Sequence, residues 1–417
     1  MTHIWQRLRS GEWLTASRAR SYSLILLGIC TVAAASLVAL SDSLTDPNGK
    51  PIGTDFSSFY AAGSMALEGH GLNVYDMAAH YARQQEIFGA KTPYYAWFYP
   101  PFLLFIAVPL ALLPYPAALF VWQAATMAFY VCVVGAILQP IRQSRPDLGY
   151  LWALLALAFP AVFINLGHGQ NGLLTAALLG AALLALARQP LLSGTLFGLL
   201  AYKPQFALVI PIALLASNQW RAIAAAAVTI VALFVLSVAA FGTEIWYGFA
   251  ASTEISRKLL LQDGDVGFEK LQSMLAVVRM WGGGIPLAYV AQAATSIAAI
   301  CGVIWMWRGS CDFNVKAALL MIATLLASPH TLDYDLMILG PAIAFMACAG
   351  FAGGFRDYEI SVLAAAWIVP LLSRGIAGAT GIPLGLLVLL ALYVFTLRRA
   401  VRDRRGSAIK VRGIAQA

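Results

Sequence analysis

The stretch "SLILLGICTVAAASLVAL", Ser23–Leu40, contains no charged residue over its whole length. A helix crossing a bilayer needs about 20 consecutive apolar residues, and this run with its neighbours supplies them. Its apolar part is longer than the roughly 7–15 residues of a cleaved signal peptide, so it reads as a retained anchor. Similar runs recur along the chain, near 22–41, 117–138, 149–166, 172–187, 191–202, 206–217, 219–241, 285–307, 315–328, 333–349, 359–374 and 383–397. The chain therefore reads as an all-α polytopic membrane protein with about twelve transmembrane helices. Composition agrees: 60% of the 417 residues are hydrophobic and 11% charged, where soluble domains carry about 25% charged residues. The apolar mass is too large for the polar surface of a soluble fold.

A thirteenth run, "PPFLLFIAVPLALLP" (Pro100–Pro114), is short and bracketed by prolines. Runs of 10–14 apolar residues are more often re-entrant or interfacial than spanning, and it is read as re-entrant. With the N-terminus on the cytoplasmic side, the cytoplasmic segments then hold 18 basic and 6 acidic residues, a balance of +12. The outer segments hold 9 basic and 13 acidic residues, a balance of −4, and together these give the net charge of +8. That asymmetry satisfies the positive-inside rule with both termini cytoplasmic. The organisation is a basic N-terminus (1–21), a membrane domain (22–397) with outer loops at 42–98 and 242–284, and a basic tail (398–417). The tail "LRRAVRDRRGSAIKVRG" suits anionic lipid headgroups, and nucleic acid is not an expected partner. The five cysteines are scattered, with neither disulfide framework nor metal-ligand spacing.

On this topology most unusual polar residues share the outer face. "GTDFSSFYAAG" (Gly53–Gly63) sets Asp55 beside Phe56, Phe59 and Tyr60. Asp55 reads equally as the N-cap of a helix starting near Ser57 or as a reactive group. "NLGHGQN" carries His168, Gln170 and Asn171, which are also ordinary interfacial residues. "AYKPQ" sets Lys203 between two short apolar half-helices, where an ionisable group costs at least a few kcal/mol and commonly meets a cavity or an anion. "SPHTLDYD" supplies His330, Asp333 and Asp335; a histidine there can donate hydrogen bonds and titrates near neutrality. Arg257 and Lys258, in the second outer loop, read equally as ligands of an anionic headgroup or as a solvated helix face. "SSFYAAGSMALEG" and "YDMAAHYARQQEIFG" have the spacing of amphipathic helices at the membrane surface, and "PYYAWFYPP" makes an aromatic belt.

These motifs resemble glycosyltransferase family 87, membrane glycosyltransferases of the GT-C superfamily that include polyprenyl-phosphate-mannose-dependent α-mannosyltransferases. The marks, in order, are "DFSSFYAAGSMALEGHGLNVYD", "FYPPFLLFIAVPLALLPY", "GHGQNGLLTAALL", "GLLAYKPQFALVIPIALLASNQWRA" and "SPHTLDYDLMILGP", within roughly residues 20–400. The resemblance implies a GT-C fold in a bacterial cytoplasmic membrane. It implies transfer of a hexose such as mannose from a polyprenyl-phosphate donor to a lipid or glycan acceptor hydroxyl on the outer face, with inversion. It implies Asp55, in the first outer loop, as general base. Lys203 and His330 are then expected at the donor phosphate, with Arg257 and Lys258 available there. Gln170, Asn171, His168, Tyr60 and Asp333 are expected in the sugar and acceptor pocket, Asp333 orienting His330. The scheme needs no metal or cofactor; "DYD" (Asp333–Asp335) matches a metal-binding DxD only formally. A lipid-linked glycan transporter or an O-antigen-ligase-like protein would share the spans and intramembrane charge. The chain shows no internal repeat, however, and few outer arginines.

Overall fold

The computed structural model describes residues 2–414 except 43 and 207, and every regular element among them is helical. The last three residues of the expected basic tail lie outside the described residues. The chain opens with α1 (Thr2–Ser10) and α2 (Ala16–Leu40), the latter capped by the Thr15 side chain, which accepts from the Arg18 N–H. The run Ser23–Leu40 lies wholly inside α2. Only 6% of the most apolar window of α2 is buried against the rest of the protein, so its surroundings must be lipid.

Loop 42–98 carries α3 (Thr54–Leu67) and α4 (Met77–Phe88). In α4, Asp76 caps the start by accepting from the Ala78 and Ala79 N–H groups, and His80, Gln84 and Phe88 form one buried stripe, as an amphipathic helix requires. In α3, eight of fourteen residues are buried, including Ser57 and Ser58. The cause is close packing against α5 (Leu104–Ala111): a Cβ on Gly63 would stand 2.2 Å from the Ala107 carbonyl oxygen. Thus α3 is enclosed by protein where a surface helix was expected. The short apolar segment Pro101–Ala111 is about 16 Å long, half the thickness of a bilayer core.

There follow α6 (Tyr115–Ile137), α7 (Gln139–Ser144), α8 (Leu151–Leu157) and α9 (Pro160–His168). The last two are bent by 43° at Pro160, which cannot donate a backbone hydrogen bond. Next come α10 (Gly172–Ala185), α11 (Pro190–Leu199), α12 (Val209–Ala216) and α13 (Trp220–Phe241). The segment 242–284 contributes α14 (Glu244–Arg257) and α15 (Met274–Met280). The bundle ends with α16 (Ile285–Arg308), α17 (Phe313–Ala327), α18 (Leu339–Gly353), α19 (Glu359–Thr380) and α20 (Leu384–Ile414).

Among the described residues seven helices are long and apolar enough to cross a membrane: α2, α6, α13, α16, α18 with its preceding turn, α19 and α20; α8–α9 makes an eighth if counted as one broken span. The other four of the twelve apolar runs are α10, α11, α12 and α17, of 14, 10, 8 and 15 residues. Helices α11 and α12, separated at Lys203–Pro204 as the two short runs there imply, are about 15 and 12 Å long, too short for either to cross a bilayer core alone. Helix α17 is buried on every side, packed by α12, α16, α18 and α20, as an all-round apolar helix at the centre of a bundle should be. Helix α20 continues through residue 398, so the expected start of the tail falls inside a helix. There Arg399 and Glu359 form a buried ion pair of 2.7 Å.

The loop 258–276 folds back on the bundle. Gln272 N–H donates to the Thr331 carbonyl (2.7 Å), and Leu271 pairs with Leu332. A small second core of Leu261, Leu271, Leu275, Ala276 and Ala288 holds this loop over residues 328–335.

Candidate active site

The site grows from two glycine-permitted turns. Gly53, at φ +72°, starts α3 as its N-cap, a conformation glycine adopts without steric cost. Asp55 therefore lies in the first helical turn and is not the cap. Its carboxylate sits where unpaired N–H groups and the helix dipole favour negative charge. The second turn is Gly169, at φ +62°, which ends α9. A Cβ there would meet Phe56 Cβ at 2.5 Å, so only glycine allows the two elements this approach. Trp122 Nε1 donates to the Gly169 carbonyl (3.0 Å) and Gln123 Nε2 to that of Leu166 (2.7 Å), fixing the turn.

This brings Gln170 onto Asp55. Gln170 Nε2 donates to Asp55 Oδ2 at 2.9 Å, while Oδ1 makes no hydrogen bond among the described residues. Gln170 Oε1 accepts from the Asn171 N–H (2.9 Å) and from the Tyr99 hydroxyl (3.3 Å). Burial raises the Tyr99 phenol pKa, so it remains a donor. His168 Nδ1 is 2.7 Å from Thr54 Oγ1, beside Asp55, and its ring meets the Tyr334 ring edge-on at 6.5 Å. Asn171 is fully buried, next to the Tyr99 phenol, yet neither polar atom of its side-chain amide has a hydrogen bond of ordinary geometry. A buried polar group normally has a partner, and a ligand hydroxyl would supply one.

Lys203 faces the same centre from the break after α11. Its ammonium is 2.5 Å from Asp335 Oδ1, each side chain is 2% exposed, and the ammonium stands 5.2 Å from the Tyr334 ring centroid. Asp335 Oδ2 also accepts from the Leu332 N–H at 3.0 Å, so the ion pair braces the loop. The Lys203 charge, expected to be available to an anion, is already balanced. Asp333 Oδ1 accepts from the Tyr334 N–H at 2.8 Å and makes no hydrogen bond to His330. His168, Arg374 and Lys270 lie near enough to act on the Asp333 carboxylate. The carboxylates of Asp55, Asp333 and Asp335 all lie near enough to act on the Tyr334 phenol, so that ring marks the middle of the site. Asn165 joins the halves, donating to the Tyr334 carbonyl (3.0 Å) and accepting from the Gly172 N–H (2.9 Å).

His330 lies in the loop between α17 and the Asp333 turn, and burial lowers its pKa to about 4. It is a neutral imidazole at neutral pH, able to donate one hydrogen bond but carrying no charge. Tyr60 is in α3 with Asp55, but its hydroxyl donates to the Leu113 carbonyl (2.8 Å) and its ring packs against Tyr115. Arg257 pairs with Glu254 at 2.6 Å on an exposed face, and Lys258 is exposed at the start of the following turn. Among the described residues, neither bonds to another candidate.

Sequence reasoning overlooked Tyr99, Tyr334, Lys270 and Arg374. Tyr99 and Tyr334 sit inside quoted motifs, but the partners that give them meaning are more than 70 positions away. Among the described residues no group of three His, Cys, Asp or Glu side chains is placed to hold a metal ion.

Residues 97–329 match the model of glycosyltransferase family 87, just over half of the chain. The match includes Tyr99, His168, Gln170, Asn171 and Lys203; Asp55 precedes it and His330 follows it directly. No curated protein and no solved structure matches the chain.

Proposed function

Because this chain belongs to glycosyltransferase family 87, we propose that it transfers a hexose such as mannose from a polyprenyl-phosphate donor to a hydroxyl of a lipid or glycan acceptor. The reaction takes place at the outer face of a bacterial cytoplasmic membrane, with Asp55 as general base. Family membership makes it a glycosyltransferase with membrane helices. Donor, acceptor and sidedness belong to the proposal.

The observation that carries it is the Asp55 carboxylate, held by Gln170 through Oδ2 and leaving Oδ1 without a partner. In the transfer, Oδ1 takes the acceptor hydroxyl proton as that oxygen forms its bond to the anomeric carbon. The bond from that carbon to the phosphate oxygen breaks, and its electron pair leaves with the phosphate. A single displacement of this kind inverts the anomeric centre. A positioned base contributes about 10²–10⁴-fold to such a step.

The departing phosphate needs donors already in place. His330 offers a neutral N–H. Lys270, in the loop 258–276, and Arg374, on α19, form no ion pair among the described residues and offer positive charge near Asp333. Lys203 reaches the phosphate only by loosening from Asp335. The unpaired amide of Asn171 suits a sugar hydroxyl.

The test is Asp55→Asn in proteoliposomes with a polyprenyl-phosphate hexose and envelope lipid acceptors, followed by mass spectrometry of the products. Loss of transfer with normal membrane insertion is expected. Undiminished transfer removes Asp55 from the mechanism.

A further inference from the structure

A cavity of about 700 Å³ lies among α1–α2, α6, α8, α18 and α19, lined almost wholly by apolar side chains including Trp13, Tyr130, Trp152, Phe159, Ala344 and Trp367. It is distinct from the candidate active site. Tyr115, at the start of α6, hydrogen-bonds the Ile52 carbonyl just before α3, whereas the cavity is first reached at Tyr130 and runs on past Val134 and Leu138. Fifteen residues of helix separate those levels, or about 22 Å. The volume falls within the roughly 300–1,000 Å³ of small-molecule sites.

Two further observations point to its occupant. Ser23 lines the cavity and is 1% exposed, and its hydroxyl has no hydrogen-bond partner. Two guanidinium groups at this end of the bundle also lack an acidic partner among the described residues. Arg142 lines the cavity and stacks on Trp152 at 4.5 Å. Arg20 lies over Tyr150 at 5.4 Å, with its Nε buried and unpaired. Arg145, also on the wall, is balanced by Asp147 (2.8 Å). Beyond Ser23, α2 turns Ile25, Ile29 and Val32 outward, so the cavity adjoins a helix that faces lipid.

We propose that this cavity is a binding site for one anionic glycerophospholipid, an acyl chain filling the apolar interior and the phosphate meeting Arg20 and Arg142. Guanidinium pairs bind phosphate through paired, charge-assisted hydrogen bonds. The interior is almost wholly apolar and accepts a hydrocarbon chain, and the Ser23 hydroxyl is placed for the glycerol ester region. The lipid wedges α1–α2 against the bundle.

The experiment uses the full chain, purified in a neutral maltoside detergent, stripped of lipid and titrated with phosphatidylglycerol or phosphatidylcholine. Native mass spectrometry and thermal denaturation are the readouts. One retained phosphatidylglycerol per chain and a raised Tm are expected, with phosphatidylcholine bound at least tenfold more weakly. The double substitution Arg20→Gln/Arg142→Gln, away from the buried core, should lower phosphatidylglycerol retention at least tenfold. Ala344→Phe, which fills the cavity, should displace the lipid in the same assay. Equal retention of the two lipids, retention indifferent to the arginine pair, displacement by polyprenyl phosphate, or no retained lipid each overturns the proposal.

Discussion

Lys203 and Asp335 form an ion pair of 2.5 Å in which each side chain is 2% exposed. The pair joins the break between α11 and α12 to the loop before α18, across more than 130 positions of sequence. Removing one partner of a buried pair strands the other charge and typically costs about 3–5 kcal/mol, whereas replacing both with apolar residues is often neutral. Lys203→Ala should therefore lower the Tm sharply in detergent, and Lys203→Met with Asp335→Leu should recover most of that loss. Equal destabilisation by single and double variants would show that the residues act separately.

Gln170 holds the Asp55 carboxylate at 2.9 Å and is itself held by Tyr99 and Asn171. On the proposed mechanism Gln170→Ala leaves the base present but loose. Displacements of about 1 Å cost up to about 10²-fold in rate, so kcat should fall roughly 10- to 100-fold while the Tm changes little. Steady-state kinetics alongside thermal denaturation checks this. An unchanged kcat would make Gln170 a bystander.

Helix α3 carries Asp55 and touches α5 at Gly63, where an added Cβ would stand 2.2 Å from a backbone oxygen. The backbone of α5 cannot step aside as a flexible side chain would. Gly63→Ala should destabilise by about 1–3 kcal/mol, the usual cost of overpacking, and should reduce transfer because the base moves with the helix. Ser64→Ala, one position on, removes only a hydroxyl bonded to the Ala61 carbonyl and should behave nearly as wild type in both assays.

His80 and His330 both have pKa values lowered to about 4 by burial, from an ordinary 6.5. The folded state thus binds fewer protons than the unfolded state between these values, and stability rises with pH there. The stabilisation is fully present above about pH 6.5 and is lost as pH falls toward 4. Tm measured from pH 7.5 to 4 should decline over that window, and His330→Asn should flatten part of the decline. A Tm independent of pH, or a decline identical in the variant, would show that His330 is not buried neutral.

The legible part of the site was chemical identity. Asp55, Gln170, Asn171, Lys203 and His330 stand out because polar residues are scarce in so apolar a chain. Their relations were not legible. The same letters describe a lysine waiting for an anion and one already paired with Asp335. They equally describe an aspartate capping α3 and one lying inside its first turn, because the helix start depends on whether Gly53 takes a positive φ. Arg257 and Lys258 read equally as headgroup ligands and as a solvated helix face, and Arg257 pairs with Glu254 on its own exposed helix face.

Sequence by itself determined that this chain is helical and built for a membrane, because runs such as Ser23–Leu40 cannot be covered by the few polar residues available. It also determined the family, since ordered local motifs survive in a linear reading. Tertiary structure decided which apolar runs become long helices and which stay short and enclosed, as α17 is. It also decided which polar groups meet around Tyr334 and where the apolar cavity opens. Those outcomes depend on contacts between residues far apart in the chain, made by close approaches at Gly63 and Gly169 that no local pattern encodes.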